Sequence, residues 1–315
     1  MGPPRAAPAV SRPSVARRDL ARLILAATCW GLGTVISKGA LAEISPFTLL
    51  PIQLASSLVV LAVLMRGQGI SFRAEGSPLL GRLGLLNPGI AYALSLLGLT
   101  YITASLSVLL WALEPVMILV LAAWSLGERI TPTFVVFSLA GLAGIGLILY
   151  DPSSSGGQVV GVALTLAGVA CCAAYSVITR RWIPGARETS QVVFAQQAHA
   201  LALAFVLAVA VGLAHGGFFA SALSPFALAS AVGSGVLYYA GAYWFYLGAL
   251  RHVPASFAAV SFYLIPIVGV IASMLILGER LDPRQWAGSA IVLVALLAII
   301  RLPPARSDSP VPALA

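Results

Sequence analysis

Apolar residues run along this chain in ten long blocks, near 21–40, 46–66, 79–98, 103–126, 132–150, 158–181, 190–213, 225–250, 255–277 and 283–301, parted by short polar stretches. A bilayer core about 30 Å thick takes about 20 apolar residues per helix, and every block comes close to that length. The two-residue alternation of membrane strands is missing, which argues against a β-barrel. The expected fold is all-α and integral to the membrane, with ten transmembrane helices.

The blocks are not independent. Leu113-Glu114-Pro115 returns 151 residues later as Leu264-Ile265-Pro266, Leu126-Gly127-Glu128-Arg129 as Leu277-Gly278-Glu279-Arg280, and Pro132 as Pro283. Ala104-Ser105 and Ala91-Tyr92 return at the same offset as Ala255-Ser256 and Ala242-Tyr243. A Gly-Glu-Arg loop and two prolines kept in register without a gap point to duplication. Five blocks per copy is an odd number, so the second copy crosses the membrane the other way up: an inverted repeat, common in secondary transporters. The organisation expected is a disordered basic tail (1–20), a first five-helix repeat (21–150), a second, inverted repeat (158–301) and a C-terminal tail (302–315).

Composition agrees with a membrane protein: 60% hydrophobic, 9% charged, mean hydropathy +0.99, where soluble domains carry about a quarter charged residues. Charge then sets orientation. With the N-terminus inside, only Lys38, Arg280 and Arg284 of the 18 basic residues fall outside, so both termini are read as cytoplasmic. The net charge of +8 faces anionic lipid and calls for no nucleic acid. The first residues have no apolar run and read as a tail, not a cleaved signal. Cys29, Cys171 and Cys172 lie within apolar blocks and read as packing residues. His199, His215 and His252 are scattered, so no metal site is expected. Gly31 and Gly33 lack the strand and third glycine of a dinucleotide fingerprint, no Walker motif is present, and no cofactor is expected.

The Gly-Glu-Arg loops read as tight helix connectors. Gly127 and Gly278 suit the left-handed position after a helix. Thr131-Pro132 and Asp282-Pro283 supply an N-cap and a first-turn proline. Glu128 and Glu279 are expected to satisfy loop amides or nearby arginines.

An L-x-P segment followed by L-G-E-R and a proline, once in each half of a ten-block chain, resembles the drug/metabolite transporter superfamily, and within it the EamA-type ten-helix exporters. The nearest likeness is the bacterial aromatic amino-acid exporter branch. The resemblance implies two five-helix bundles around a central cavity in a bacterial inner membrane, exporting amino acids, aromatic or large neutral ones foremost, and related metabolites. The partners implied are a small-molecule substrate, the lipid bilayer and a proton as candidate coupling ion, with the chain a monomer or weak homodimer.

Helical spacing nominates the residues that line such a cavity. Tyr239, Tyr243 and Tyr246 fall at i, i+4 and i+7, matched in the first copy by Pro88, Tyr92 and Ser95. Ser107, Trp111 and Glu114 share a face, as do Trp30, Thr34 and Lys38, and Cys171, Tyr175 and Thr179. Tyr and Trp keep a polar atom that needs a partner, which favours wet interiors, although aromatic stripes also serve as packing or interfacial belts. Tyr101 and Tyr150, at block ends, read as belt residues. Glu114 is a carboxyl near mid-membrane, suited to an ammonium group or a proton, or else to holding the carbonyl loosened beside Pro115. Lys38 is expected to snorkel or to pair with Glu43. Pro115 and Pro266, at equivalent positions, are candidate hinges or fixed kinks.

Two rivals follow from the same residues. A nucleotide-sugar or sugar-phosphate exchanger of the superfamily would need buried Lys or Arg to hold phosphate, and the blocks offer none near mid-membrane. A lipid-modifying membrane enzyme would need clustered acid–base groups or an activated nucleophile, and neither is seen.

Overall fold

The computed structural model describes residues 16–73, 78–126, 132–149, 156–182, 189–215, 223–253, 258 and 261–301. Among these residues every regular element is a helix. Six helical stretches are long and apolar enough to cross a membrane: Arg17–Ala40, Pro46–Gly67, Pro78–Tyr101, Ala104–Ser125, Gly156–Thr179 and Ser190–Ala214. Helices close their interior backbone hydrogen bonds within themselves, the condition a hydrocarbon environment imposes.

Several helices run unbroken: α1 (Arg17–Ala40), α2 (Pro46–Gly67), α7 (Pro132–Leu149), α8 (Gly156–Trp182), α9 (Ser190–His215) and α13 (Pro283–Arg301). Between them lie broken ones. The third block is α3 (Pro78–Arg82), an irregular stretch through Ile90, and α4 (Ala91–Tyr101). Asn87 leaves the helical region there, with φ −136° and ψ 114°. The fourth block divides into α5 (Ala104–Trp111) and α6 (Glu114–Leu126). In the second half, α10 (Pro225–Gly235) joins α11 (Ala242–Leu250) through a wide π-helical turn at Val236–Gly241, and α12 (Leu264–Ile276) follows a short 3-10 turn at Ser261–Tyr263.

These interruptions have local causes. Pro115 and Pro266 lie in the first turns of α6 and α12, where a missing N–H costs nothing. Neither can close the bond to the carbonyl four residues earlier, that of Trp111 or Phe262, so a continuous helix is interrupted at both places. The two breaks are 151 residues apart, and the wide turns at 86–90 and 236–241 keep almost the same offset. The prolines are therefore not kinks within continuous helices, as the blocks suggested; each starts a new helix.

Glycines set the closest approaches. α7 packs on α13 and α4 on α8. A Cβ on Gly144 would stand 2.7 Å from the Gly288 carbonyl oxygen, and one on Gly161 would stand 2.9 Å from that of Gly98. Gly144 and Gly161 thus lie at helix crossings, where a small residue lets two backbones approach. Gly144→Leu is expected to lower stability by about 1–3 kcal/mol, since backbone cannot yield as a side chain does. Gly146→Ala, on the same helix with open space around it, should be neutral, and thermal unfolding in detergent compares the two.

The second Gly-Glu-Arg connector forms as expected. Gly278 follows the helix end at φ +68°. The amide of Gln285 donates to Asp282 Oδ1 at 2.8 Å and that of Asp282 to Gln285 Oε1 at 3.0 Å, a reciprocal cap. Gly127, Glu128, Arg129 and Thr131 lie outside the described residues.

Candidate functional site

The broken segments meet around one cavity of about 390 Å³, bordered also by α1 and α8. Trp30 comes from α1, Tyr92 from α4, Trp111, Glu114 and Pro115 from the α5–α6 break, and Tyr175 from α8. Tyr243 and Tyr246 come from α11, and Pro266 from α12. Rings fill much of the wall. Trp30 meets Tyr243, Tyr246 and Phe262 edge-on, with centroids 5.5, 5.7 and 5.4 Å apart. Tyr92 stacks on Trp111 at 5.1 Å.

Tyr239 is the nominated ring that does not line this cavity. It is 2% exposed, packed behind the wall against Tyr92 and Tyr238 at 5.3 and 5.0 Å. Tyr238 stands at the wall instead. The wide turn at Val236–Gly241 explains the exchange. A π turn holds one extra residue, so the residue stacked beneath Tyr243 is five back, not four. In the first half Asn87, five before Tyr92, lines the cavity and Pro88 does not, and there the backbone leaves the helical region at Asn87.

The cavity wall follows the repeat. Asn87 and Tyr238, Tyr92 and Tyr243, Trp111 and Phe262, Ala112 and Tyr263, Glu114 and Ile265, and Pro115 and Pro266 are pairs 151 residues apart, and both members of every pair line it. The first half contributes Asn and Glu where the second contributes Tyr and Ile. Glu114 accepts a hydrogen bond from Cys172 Sγ at 3.1 Å, so Cys172 is a wall residue and a partner as well as a packing residue. Gly33 lets α1 approach Tyr238 closely: a Cβ there would lie 2.9 Å from the Tyr238 side chain.

Amide side chains, which periodicity did not single out, tie the broken helices down. Gln196 of α9 donates to the Leu80 carbonyl at 3.1 Å and to the Tyr175 hydroxyl at 2.8 Å. Its neighbour Gln197 donates to the carbonyl of Tyr239 at 2.8 Å, inside the wide turn. Gln53 bridges Ser37 and Ser234, each at 2.8 Å. Their signal in the sequence is an amide inside an apolar block, where an unpaired polar group costs several kcal/mol and so must have a partner.

Two carboxylates work at helix starts. Glu279 accepts from the amides of Ala104 and Ser105 at 2.7 and 3.0 Å and from the Ser105 hydroxyl at 2.6 Å. Its partners are thus the first amides of α5, far away in sequence, not those of its own loop. The expected Lys38–Glu43 pair does not form: Lys38 donates to the Leu99 carbonyl at 2.8 Å, and Glu43 accepts from the amide and hydroxyl of Ser224 at 2.9 and 2.8 Å. Those bonds hold the Glu43 carboxyl below the usual carboxylate range. Ser224 in turn caps α10.

With every regular element among the described residues a helix, and six of those helices long and apolar enough to cross a membrane, the chain is a multi-pass membrane protein. Its sequence matches the EamA-like transporter family model twice, over residues 20–150 and 159–301, and the chain belongs to that family. It is 25% identical over 279 residues to an uncharacterized transporter of Archaeoglobus fulgidus, covering 89% of this chain and 97% of that one. It is also 28% identical over 171 residues to the uncharacterized transporter YwfM of Bacillus subtilis, covering 53% and 54% of the two chains. A crystal structure described only as that of a protein superposes with a TM-score of 0.59 at 19% identity, covering 89% of this chain and 96% of that one, a likeness of fold.

Proposed function

We propose that this transporter is a secondary carrier that crosses a bacterial inner membrane ten times, as two inverted five-helix halves with cytoplasmic termini. It exports small metabolites with an apolar or aromatic body and an amino group, amino acids and their derivatives. The observation that carries this reading is the cavity wall, built from equivalent positions of both halves. Two halves related by an axis in the membrane plane have two similar packings, one open to each side, so rocking of one against the other exposes the same wall alternately. The helix breaks beside Pro115 and Pro266 are natural pivots, because few backbone bonds resist bending there. Trp30, Tyr92, Trp111, Glu114, Tyr175, Tyr243 and Tyr246 are the proposed substrate contacts, with Tyr239 as support behind Tyr92 and Tyr238.

A sugar-phosphate exchanger is disfavoured, since the described lining residues include no Lys, Arg or His. Proteoliposomes preloaded with an unlabelled mixture of aromatic and large neutral amino acids and the corresponding amines test the reading. Saturable counterflow of a labelled member, absent from empty liposomes, is the expected result. Exchange of hexose phosphate or nucleotide-sugar in its place would reassign the substrate class.

A further inference from the structure

A second cavity, of about 250 Å³, lies at the end of the bundle where α1 and α9 begin and α2 and α11 finish. The transport reading makes no use of it. We propose that this pocket binds the phosphate of an anionic phospholipid.

Its positive charge is concentrated and only partly answered. Arg18 and Arg22 of α1 line it together with Arg251 and His252 from the turn after α11, and the described lining includes no Asp or Glu. The carboxylate that partly offsets them is Asp19, 5% exposed, which accepts from Arg22 Nη1 at 3.0 Å and stands 3.3 Å from His252 Nδ1. The same Nη1 donates to the Gly248 carbonyl at 3.0 Å, which fixes the guanidinium against α11 and leaves Nε and Nη2 for a ligand. Arg18 and Arg251 are exposed and make no hydrogen bond or ion pair among the described residues. Three guanidinium groups against one carboxylate leave an excess of positive charge, and guanidinium forks match phosphate oxygens in pairs. Ser190, in the first turn of the 26-residue α9, adds a hydroxyl and the positive end of a helix.

Three features favour a lipid over a soluble phosphate. Leu25 follows Arg22 by three residues and Arg18 by seven, so it shares their face of α1. It is 45% exposed, and an acyl chain can run down α1 from a headgroup held by the arginines. Trp244, one turn before Gly248 on α11, lines the pocket too, and an indole suits the boundary between headgroup and hydrocarbon. On the orientation proposed above, this end meets the cytoplasmic leaflet, whose anionic lipids attract arginine. The cluster is also confined to one end of the molecule. One repeat away, Arg18, Arg22 and Arg251 correspond to Val169, Ala173 and Thr100, so duplication does not account for it.

The test titrates the full chain in neutral detergent with three probes and counts bound molecules by native mass spectrometry. The probes are phosphatidylglycerol, phosphatidylcholine with the same acyl chains, and glycerophosphoglycerol, the deacylated headgroup of the first. Phosphatidylglycerol should bind at least about tenfold more tightly than phosphatidylcholine, and the free headgroup should not displace it at equal concentration. Arg18→Gln combined with Arg251→Gln should bring the two lipids within about twofold of each other. The unfolding temperature without added lipid checks that this variant folds; if it does not, Arg251→Gln alone should lose part of the preference. Arg66→Gln, at the same end but outside the pocket, should keep all of it. Equal binding of the two lipids, or a preference unchanged in the pocket variants, would overturn the proposal. An equal loss in Arg66→Gln would overturn it too, leaving only diffuse surface charge. Displacement of the lipid by glycerophosphoglycerol would overturn the lipid assignment in favour of a soluble phosphate. Each of these results leaves the transporter reading intact, since none depends on solute exchange.

Discussion

Glu279→Ala is expected to lower stability by about 2–3 kcal/mol, the cost of stripping a carboxylate from two helix-start amides and a hydroxyl. The bonds lost are those to Ala104, Ser105 and the Ser105 hydroxyl. The Ser105 oxygen also sits 2.5 Å from Ser273 Oγ on α12, so the loss reaches a second contact between the halves. Lys38 has its ammonium in Coulombic reach of Glu279 and would lose that attraction. Glu279→Gln keeps one acceptor oxygen and should fall between the two. Arg280→Ala, an exposed neighbour, serves as the control. Thermal unfolding in detergent ranks the four proteins. An unfolding temperature for Glu279→Ala equal to that of the parent would mean that the carboxylate does not hold α5. Transport should fall with stability, because the contact joins the connector after α12 to the start of the helix that leads into the cavity.

Tyr243→Ala should cut solute exchange by about tenfold or more, while Tyr101→Ala leaves it within about twofold, a contrast set by where each ring lies. Tyr243 lines the cavity and abuts Trp30 at 5.5 Å. Tyr101 is 49% exposed at the end of α4. Tyr243→Phe keeps the ring and should retain most of the exchange if ring contact is what the solute uses. The measurement is initial counterflow rate at matched protein per liposome. Comparable losses at 243 and 101 would remove the reason for assigning the substrate to this cavity.

Much of the helical layout was legible in the sequence because its causes are local. Apolar length, a proline at a helix start and a glycine past a helix end act over a few residues, and α13 begins at Pro283 behind a reciprocal Asp282–Gln285 cap. The candidate site was legible only in part. Trp30, Tyr92, Trp111, Glu114, Tyr175, Tyr243 and Tyr246 were nominated by spacing, and the structure gathers them at one wall. Tyr239 and Pro88 were nominated by the same spacing and miss the wall, because one extra residue in a wide turn shifts the positions before Tyr243 and the backbone leaves the helical region at Asn87. Asn87 and Tyr238 took those wall positions instead.

The sequence by itself determined where helices start and stop and that one pattern occurs twice at a fixed offset, since capping, proline geometry and hydrophobic length are set by near neighbours. Tertiary structure alone decided which side of each broken helix faces the cavity and which distant groups answer each polar atom. Glu279 finds Ser105 across 174 residues, Gln197 finds a carbonyl freed inside a wide turn, and Cys172 finds Glu114. Such pairings follow from the rotation and approach of packed helices, and glycines such as Gly33 and Gly144 set those distances only once a partner helix lies against them.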